Sequence, residues 1–474
     1  MKKSFFIVLL SAILLMASCS NGDSKNTSDS KSVITSTDTS ISLSEDSSFS
    51  EEEINDPSKL EAELSLWCSY TSNPSKSYDL TFAYYDSLFT KSATIFNKKL
   101  ALLSIGLTFA ASNLRSSSKY YDDLGFSRPF FADEYYEGVK IGGIGYSFAT
   151  KQVEDSNLVA VSVRGDNYGV QWADNFRVGE QGNHENFDAC AQIVYLALED
   201  YLTELNSALP IKLWLTGYSR GGAIANILAS KIMTNPLGDV TKDSFSVYTF
   251  EAPRALMKEN ALPYDNVFNV VNGADVIAKF FPEKQNFYRC GKDIEIYKSN
   301  IDQIILNFDE NAVFPTFNKV GSEYENDVEL ADYIVASFLS DGEEKDGRNW
   351  SIATRELYNA NYADDIIYLL EITMETDHVD ILDVIKEVSK ISLSDFLNML
   401  LDSSEFVSKM KKVFDNLGIA YEEERLDTAL LHFYTFTRQP SIKSLIPVLF
   451  SKGCLERIVG MHFPATSYIL LKVL

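Results

Sequence analysis

The pattern of hydrophobic and polar positions divides this chain into a part that predicts alternating strands and helices and a part that predicts helices alone. The alternating part lies between about residues 142 and 271, where short apolar runs are separated by turn residues and amphipathic segments. Near-continuous apolar runs are typical of strands covered on both faces. The predicted strands are 142–150, 158–163, 211–215, 245–250 and 267–271, and the predicted helices are 186–205 and 223–233. This alternation favours an α/β fold with a mainly parallel sheet and right-handed crossovers.

The remaining segments show helical periodicity. Residues 59–114 are predicted to form a helical layer packed on the sheet. We interpret 291–459 as a helical insertion that forms a cap beside the functional face of the sheet; a scaffold with no role in substrate access is the alternative. The core is assigned to 59–290, and 460–474 is predicted to complete it. The helices predicted within the insertion are 328–339, 366–373, 379–388, 396–413 and 428–436.

The first residues have the features of an export signal. Two lysines precede an apolar run at 5–16 that is too short to span a bilayer. The sequence Met-Ala-Ser-Cys that follows, ending at Cys19, resembles the bacterial lipobox, in which the cysteine is lipidated. The resemblance implies a signal peptide at 1–19 and an exported protein anchored to a membrane of the bacterial cell envelope through Cys19. Ordinary secretion, with Cys19 free or removed, is the alternative.

The segment 20–58 is rich in Ser, Thr, Asp and Glu and is predicted to be a flexible tether. It has too few apolar residues to offset the entropy lost on ordering. The whole chain of 474 residues has a net charge of -25, which argues against nucleic acid as a partner because phosphate contacts require Lys and Arg patches. With 45% hydrophobic residues it can bury a large core, as one domain with an insertion or as two domains.

The cysteines after Cys19 are far apart in the sequence. Their spacing matches no metal site and does not select a disulfide pairing, so we expect buried free thiols. These residues are Cys68, Cys190, Cys290 and Cys454.

A Gly-x-Ser-x-Gly sequence at 217–221 is the strongest candidate for chemistry. A predicted strand precedes it and a small-residue helix follows it, which is the context of a nucleophile elbow. Gly217 and Gly221 flank the serine because a turn this tight leaves no room for Cβ atoms beside it. The pattern predicts that Ser219 is a nucleophile at the sheet edge. A glycine turn without chemistry is the alternative.

A nucleophilic serine needs a base that takes its proton and a carboxylate that orients the base. After a nucleophile elbow these residues follow in the order Ser, Asp, His. Asp275 comes just after the strand 267–271, so we expect it at the same sheet edge as Ser219. Asp265 is the alternative, but it precedes that strand. Asp275 could also be a turn residue after Asn-Gly.

Four histidines are candidates for the base. His184 precedes the serine, and His378 lies between acids at a predicted helix start. His432 lies in an amphipathic helix, where a histidine is more often a core residue with a satisfied hydrogen bond. His462 is favoured, with His432 second, because a nearby glycine and proline predict that His462 lies in a loop late in the chain.

Two backbone N–H groups are expected to bind the oxyanion. One belongs to Arg220, which follows the nucleophile, and the other to Asp166, in the loop after the strand 158–163. We expect the Asp166 side chain to point away, because its charge would oppose an oxyanion. This chemistry requires no metal and no cofactor.

With these residues in place, the chain resembles the class 3 lipases, the fungal-type triacylglycerol lipase family. The Arg-Gly-Asp at 164–166, followed by Trp172 and Asp174, is similar to the Arg-Gly-Thr/Ser loop of that family. The elbow matches the family's Gly-His-Ser-Leu-Gly-Gly in frame but has Tyr218 and Arg220.

Three further motifs carry this resemblance. The Thr-Phe-Glu-Ala-Pro-Arg at 249–254 is similar to the family's Thr-Phe-Gly-Ala-Pro-Arg, with Glu251 in place of glycine. The Val-Asn-Gly-Ala-Asp at 271–275 is similar to a Val-Asn-x-x-Asp element, which implies that Asp275 is the acid. His462 followed by Phe-Pro resembles a late His-x-Pro element of bacterial members.

The resemblance implies an α/β-hydrolase fold and a serine hydrolase that cleaves carboxylic esters, acylglycerols among them, through an acyl-enzyme. Its catalytic residues would be Ser219, Asp275 and His462, and its partners an ester or lipid substrate and the membrane that holds lipidated Cys19. The departures from the family pattern at Tyr218, Arg220, Asp166 and Glu251 bear on the substrate class more than on the reaction. The alternative is a surface-binding lipoprotein that keeps the hydrolase fold without turnover.

Overall fold

The structure is a computed structural model. Several sequence predictions lie outside the residues that it describes: the signal peptide, nearly all of the tether, and the roles of Cys19, Cys68, Asp166 and His378. The described residues are 57–67, 77–132, 143–165, 175, 177–179, 181–281, 283–310, 312, 314–317, 324–339, 343–345, 348–350, 364–365, 368–369, 371–373, 387, 390–449 and 451–474.

The first described segment is a β-hairpin, so the prediction of helix for 59–114 is wrong over its first half. Strands β1 (Leu60–Trp67) and β2 (Ser77–Tyr84) pair in antiparallel register. Alternate side chains, such as Leu80 and Phe82, are buried, which is the period of two of a strand covered on one face. The helical layer follows as α1 (Lys98–Ala110) and α2 (Leu114–Asp123).

Within the described residues, seven strands form a central sheet in the order of the chain. The first three strands pair antiparallel and the later ones pair parallel, so the predicted α/β fold with a mainly parallel sheet is confirmed. The antiparallel start was not predicted. In chain order the elements are β3 (Ser127–Phe131), β4 (Tyr146–Val153), β5 (Ser156–Val163), α3 (Glu185–Leu205), β6 (Ile211–Tyr218), α4 (Arg220–Thr234), β7 (Phe245–Phe250), β8 (Val267–Val271) and β9 (Lys292–Glu295).

Both faces of this sheet are covered, because successive side chains of a strand point to opposite faces. Leu213 and Leu215 of β6 pack into one hydrophobic cluster with α3 and α4. Trp214, between them, packs into a second cluster that includes α1 and the hairpin. This double burial explains why the parallel strands are apolar along their whole length.

The helices after the sheet form a third hydrophobic cluster, which includes Val276 and Ile277 from the loop that follows β8. The predicted helix 396–413 is two helices, because Asp402 caps a new one by accepting from the N–H groups of Ser404 and Glu405. Most of 366–373 and 379–388 lies outside the described residues. The elements are α5 (Ile301–Phe308), α6 (Asp327–Leu339), β10 (Glu343–Lys345), β11 (Arg348–Trp350), α7 (Leu393–Met399), α8 (Ser403–Leu417), α9 (Glu423–Thr437), α10 (Pro440–Leu449), α11 (Cys454–His462) and α12 (Pro464–Lys472).

The last helix returns the chain to the sheet. Tyr468 and Ile469 of α12 belong to the cluster that covers the α1 face, and the aromatic ring of Tyr468 contacts Phe82 of the hairpin. The C-terminal residues therefore pack with the sheet and not with the preceding helices alone. No helix in the described ranges is long and apolar enough to cross a membrane.

Cys190, Cys290 and Cys454 are buried, and Cys290 and Cys454 are free thiols, as expected from their spacing. Burial raises the pKa of the Cys290 and Cys454 thiols to about 12. A thiol with so high a pKa is a poor nucleophile, so these residues act as small core side chains.

Candidate active site

Ser219 lies at a sharp turn between β6 and α4, with a positive φ of 55° and a ψ of −126°. The two glycines that flank it lie directly against backbone atoms. A Cβ on Gly217 would lie 2.3 Å from the carbonyl oxygen of Gly221, and a Cβ on Gly221 would lie 2.5 Å from that of Arg164. Glycine is required at both positions, as the sequence pattern predicted. A non-glycine residue held at positive φ stores strain, which is typical of functional sites.

The structure brings Ser219, His462 and Asp275 together. The Nε2 atom of His462 lies 2.9 Å from the Oγ of Ser219, and its Nδ1 atom lies 2.6 Å from the Oδ2 of Asp275. A carboxylate can only accept a hydrogen bond, so Nδ1 carries the proton and Nε2 is left to accept the serine hydroxyl. Asp275 is fully buried, and its other oxygen accepts from the N–H of Ile277 at 2.8 Å. The imidazole is therefore held in the tautomer that can remove a proton from Ser219.

His462 is the last residue of α11 and not part of a loop, so the predicted loop is wrong. Gly460 is tolerated inside this helix, and Pro464 is the first residue of α12, where its missing N–H costs nothing. The sequence pattern of glycine and proline around the histidine marks a junction between two helices.

Side chains from other segments hold the C-terminal end of α11. The last carbonyl groups of a helix have no partner inside it. The carbonyl of His462 accepts from the Tyr218 hydroxyl at 2.7 Å, and that of Met461 accepts from Nδ2 of Asn272 at 3.0 Å. The carbonyl of Gly460 accepts from the Thr466 hydroxyl at 2.5 Å. These contacts fix the backbone that presents the imidazole.

The alternatives for acid and base have other contacts. Asp265 lies on the surface in an ion pair with Lys242. His432 lies in α9, where its Nδ1 contacts the Asp365 carboxylate. His184 caps α3, with its Nδ1 accepting from the Phe187 N–H.

The predicted oxyanion residues are only partly described. Arg220 is the first residue of α4, so its N–H lies at the positive end of the helix dipole next to Ser219. Its buried guanidinium binds the carbonyl of Gly143 and the side chain of Asn186. Asp166 lies outside the described residues, but Gly165 before it lies against the elbow: a Cβ there would be 3.0 Å from the Tyr218 carbonyl oxygen.

A second buried carboxyl group, that of Glu251, lies beside Asp275. One Glu251 oxygen accepts from the Ser467 hydroxyl at 2.7 Å, and the other accepts from the N–H of Asn272 at 2.9 Å. Burial raises the pKa of Glu251 well above its usual range, and the charge of Asp275 raises it further. The sequence showed Glu251 only as a departure from a motif; the role of Ser467 had no sequence signal.

In the part of the chain that the structure describes, no group of three or more His, Cys, Asp or Glu side chains could hold a metal ion. A hydroxyl, an imidazole and a carboxylate in this arrangement have the chemistry for a nucleophile, a base and an orienting acid.

Residues 160–285 match the model of the lipase (class 3) family. This stretch includes Ser219 and Asp275 but ends far before His462, and it covers well under half of the chain. The match supports the resemblance to class 3 lipases seen in the motifs. A comparison with curated proteins finds no match.

Solved structures of lipases are similar to this chain over less than half of its length. A fungal lipase–inhibitor complex is 17% identical, with a TM-score of 0.32, and the alignment covers 41% of this chain and 76% of that one. A triacylglycerol lipase whose catalytic centre is described as a serine protease triad is 17% identical, with a TM-score of 0.32 and coverages of 45% and 80%. The lipase of Rhizopus microsporus var. chinensis is 15% identical, with a TM-score of 0.30 and coverages of 43% and 76%.

Proposed function

We propose that this protein is a serine hydrolase that cleaves carboxylic esters through an acyl-enzyme. The observation that carries the proposal is the chain of hydrogen bonds from Ser219 Oγ to His462 and on to Asp275, with distances of 2.9 and 2.6 Å. The serine at its end lies on a strained turn at the C-terminal edge of a parallel sheet.

In the first half of the reaction, Ser219 Oγ attacks the ester carbonyl carbon while His462 Nε2 takes its proton. The tetrahedral intermediate collapses, and the alcohol leaves with the proton that His462 returns. In the second half, water attacks the acyl-enzyme with His462 again as base, and the acid product leaves. Asp275 keeps its charge throughout and stabilises the imidazolium.

The oxyanion would be bound by the N–H groups of Arg220 and Asp166. The position of Arg220 at the start of α4 supports the first assignment, because a helix N-terminus stabilises negative charge. The close approach of Gly165 to the elbow supports the second. Removal of one such donor costs about 3 kcal/mol in other hydrolases.

An ester, and acylglycerols among esters, is the proposed substrate class. The match of 160–285 to the class 3 lipase family supports an ester over an amide. The helices that pack on the loop after Asp275, through Val276 and Ile277, would line the approach to Ser219.

We also propose that the protein is exported and held at a membrane of the bacterial cell envelope through lipidated Cys19. The apolar run and the Met-Ala-Ser-Cys sequence at 16–19 support this localisation. Labelling with a radioactive fatty acid tests it: the wild-type protein should be labelled and a Cys19→Ala variant should not.

The test of the reaction uses a fluorophosphonate probe, which reacts with activated serines, together with a short nitrophenyl ester. Wild-type protein should be labelled and should cleave the ester, and Ser219→Ala should do neither. We expect His462→Ala to reduce kcat by at least about 1000-fold, because the serine then lacks its base. The matched control is His432→Ala, which removes a histidine from α9 and should lower stability while kcat is kept.

Wild-type protein that is neither labelled nor active on the ester would contradict the proposal, and would favour the surface-binding lipoprotein. Loss of turnover in His432→Ala with retention in His462→Ala would assign the base to the other histidine.

A further inference from the structure

Glu251 is a buried carboxyl group for which the proposed triad has no use. It lies directly after β7 and is fully buried, and no Lys or Arg in the described ranges forms an ion pair with it. It accepts hydrogen bonds from the Ser467 hydroxyl and from the N–H of Asn272, and the Asp275 carboxyl is its neighbour. A carboxylate that is buried without a cation is costly, so such a residue needs a reason other than stability.

The backbone conformation of Glu251 is a second indication that its side chain has a role. Its φ is 47°, in the left-handed region where glycine is relaxed and a residue with a side chain is strained. Its N–H donates to the carbonyl of Val270 at 3.0 Å, which ties the end of β7 to β8. A glycine would make that bond without strain, so the strain is tolerated for the sake of the side chain.

Glu251 and Asp275 are neighbouring buried carboxyl groups, and two negative charges so placed repel each other. Two carboxyl groups can hydrogen-bond to each other only if one of them is protonated. The oxygens of Asp275 already accept from the Ile277 N–H and from the His462 ring. Glu251 is thus the group that carries a proton and can donate it to Asp275.

The other side of Glu251 reaches the segment that carries the base. The Ser467 hydroxyl donates to Glu251 and lies 3.3 Å from the Tyr218 hydroxyl, which itself donates to the His462 carbonyl. A continuous set of hydrogen bonds thus links the ends of β6 and β7, the Asp275 loop and the α11–α12 junction.

We propose that Glu251 is a positioning residue: as a neutral carboxylic acid it donates a hydrogen bond to Asp275, accepts one from Ser467, and so fixes the acid and the base of the triad relative to each other. The inference rests on the proposed hydrolase function for its kinetic consequence. When the Ser219 proton moves to His462, the imidazolium faces the single negative charge of Asp275, and Glu251 keeps its own proton.

The surroundings favour this protonation state. Burial raises the pKa of Glu251 well above its usual range, and the Asp275 carboxylate raises it further. The titratable groups around it are Asp275, the His462 ring that Asp275 binds, and the Tyr218 hydroxyl beside Ser467. The acid is thus neutral at pH values where an ordinary glutamate is charged.

The kinetic test compares Glu251→Gln and Glu251→Met with wild type, after active sites are counted with the fluorophosphonate probe. The amide of Glu251→Gln can donate to Asp275, but it has only one oxygen to accept from Ser467 and Asn272, so we expect kcat to fall about tenfold with KM within about twofold. The Glu251→Met side chain makes none of these three contacts, so we expect kcat to fall about 100-fold. Glu199→Gln, on the exposed face of α3, is the matched control and should behave as wild type. Wild-type kcat per labelled serine in both Glu251 variants would overturn the proposal.

The second arm measures unfolding by urea as a function of pH. Between the ordinary pKa of glutamate, about 4.3, and its raised folded pKa, the unfolded chain releases a proton that the folded chain keeps, so wild type loses stability as the pH rises. The Glu251→Gln variant lacks this loss, and the ratio of the two unfolding constants should change by up to about tenfold per pH unit in that window. A ratio that is flat from about pH 6 upward would overturn the proposal, because Glu251 would then be ionised.

Ser467→Ala keeps the test decisive if a Glu251 variant fails to fold. It removes the donor to Glu251 together with the 3.3 Å contact to the Tyr218 hydroxyl, and we expect kcat to fall about threefold; an unchanged kcat would count against the proposal. The two proposals fail differently. If Ser219 of wild type does not react with the probe, the proposed function fails, whereas the pH dependence of stability still reports the proton on Glu251.

Discussion

The proposed nucleophile and acid, Ser219 and Asp275, are held differently from the proposed base, His462. Ser219 and Asp275 each follow a strand of the parallel sheet, and backbone geometry determines their places. His462 is the last residue of a helix outside the sheet. Its place depends on side chains that bind the end of that helix, such as Tyr218 and Asn272.

Because of this difference, changes near Ser219 and changes near His462 should affect different properties, the stability of the fold and the alignment of the imidazole. Around Ser219 there is no space for a methyl group, so a change there must move backbone that belongs to the core of the sheet. Around His462 a single hydroxyl can be removed while the hydrophobic clusters stay intact. We therefore expect changes at the elbow to unfold the protein and changes at the α11 junction to reduce turnover first.

The largest expected effect is that of Gly217→Ala. Its Cβ would lie 2.3 Å from the Gly221 carbonyl oxygen, so the elbow must shift, and we expect a loss of about 3 kcal/mol or more in unfolding free energy together with loss of probe labelling. The matched control is Gly418→Ala, at the C-terminal end of α8 with φ 69° and no atom within 4 Å of the added Cβ. There only backbone strain acts, and we expect about 1 kcal/mol. Equal losses in urea unfolding would contradict the comparison.

Arg457→Met should have the next largest effect, because Arg457 joins the helix of the base to two others. Its guanidinium binds Asp327 of α6 through two bonds of 2.7 Å and Asp302 of α5 through one of 2.5 Å. Removal leaves the buried Asp327 without its cation, and we expect a loss of about 3 kcal/mol and a lower kcat in the fraction that remains folded.

The control for this prediction is Lys242→Met, which breaks the exposed ion pair with Asp265. We expect less than about 1 kcal/mol there, since solvent screens the pair. A normal kcat in folded Arg457→Met protein would mean that α11 holds its place without this ion pair.

Tyr218→Phe should have the smallest effect on stability and a visible one on turnover. It removes only the hydroxyl that donates to the His462 carbonyl at 2.7 Å, which costs about 1 kcal/mol of stability. We expect kcat to fall about tenfold, because the imidazole loses a support of its backbone. The control is Tyr195→Phe, whose exposed hydroxyl binds the Asn235 carbonyl away from the site. A tenfold loss in the control as well would remove the special role of Tyr218.

The sequence alone determined the elements whose signal is local. Two strands, Phe245–Phe250 and Val267–Val271, begin and end at the predicted residues, because buried parallel strands are apolar throughout and end at turn residues. The elbow glycines were predictable because the steric demand of a tight turn lies within a few residues of sequence. The choice of Asp275 over Asp265 followed from which end of a strand each occupies.

Only the tertiary structure decided the features that depend on distant residues. The hairpin at β1 and β2 was predicted as helix, because its strands are polar on one face and their pairing is not written in either segment alone. The position of His462 at a helix end, 243 residues after Ser219, depends on the packing of α12 against the hairpin and α1. In the sequence Glu251 is only a departure from a motif, and only the structure shows that Ser467 and Asp275 are its neighbours. A contact between side chains hundreds of residues apart has no pattern in the sequence, since folding, and not spacing, brings them within hydrogen-bond distance.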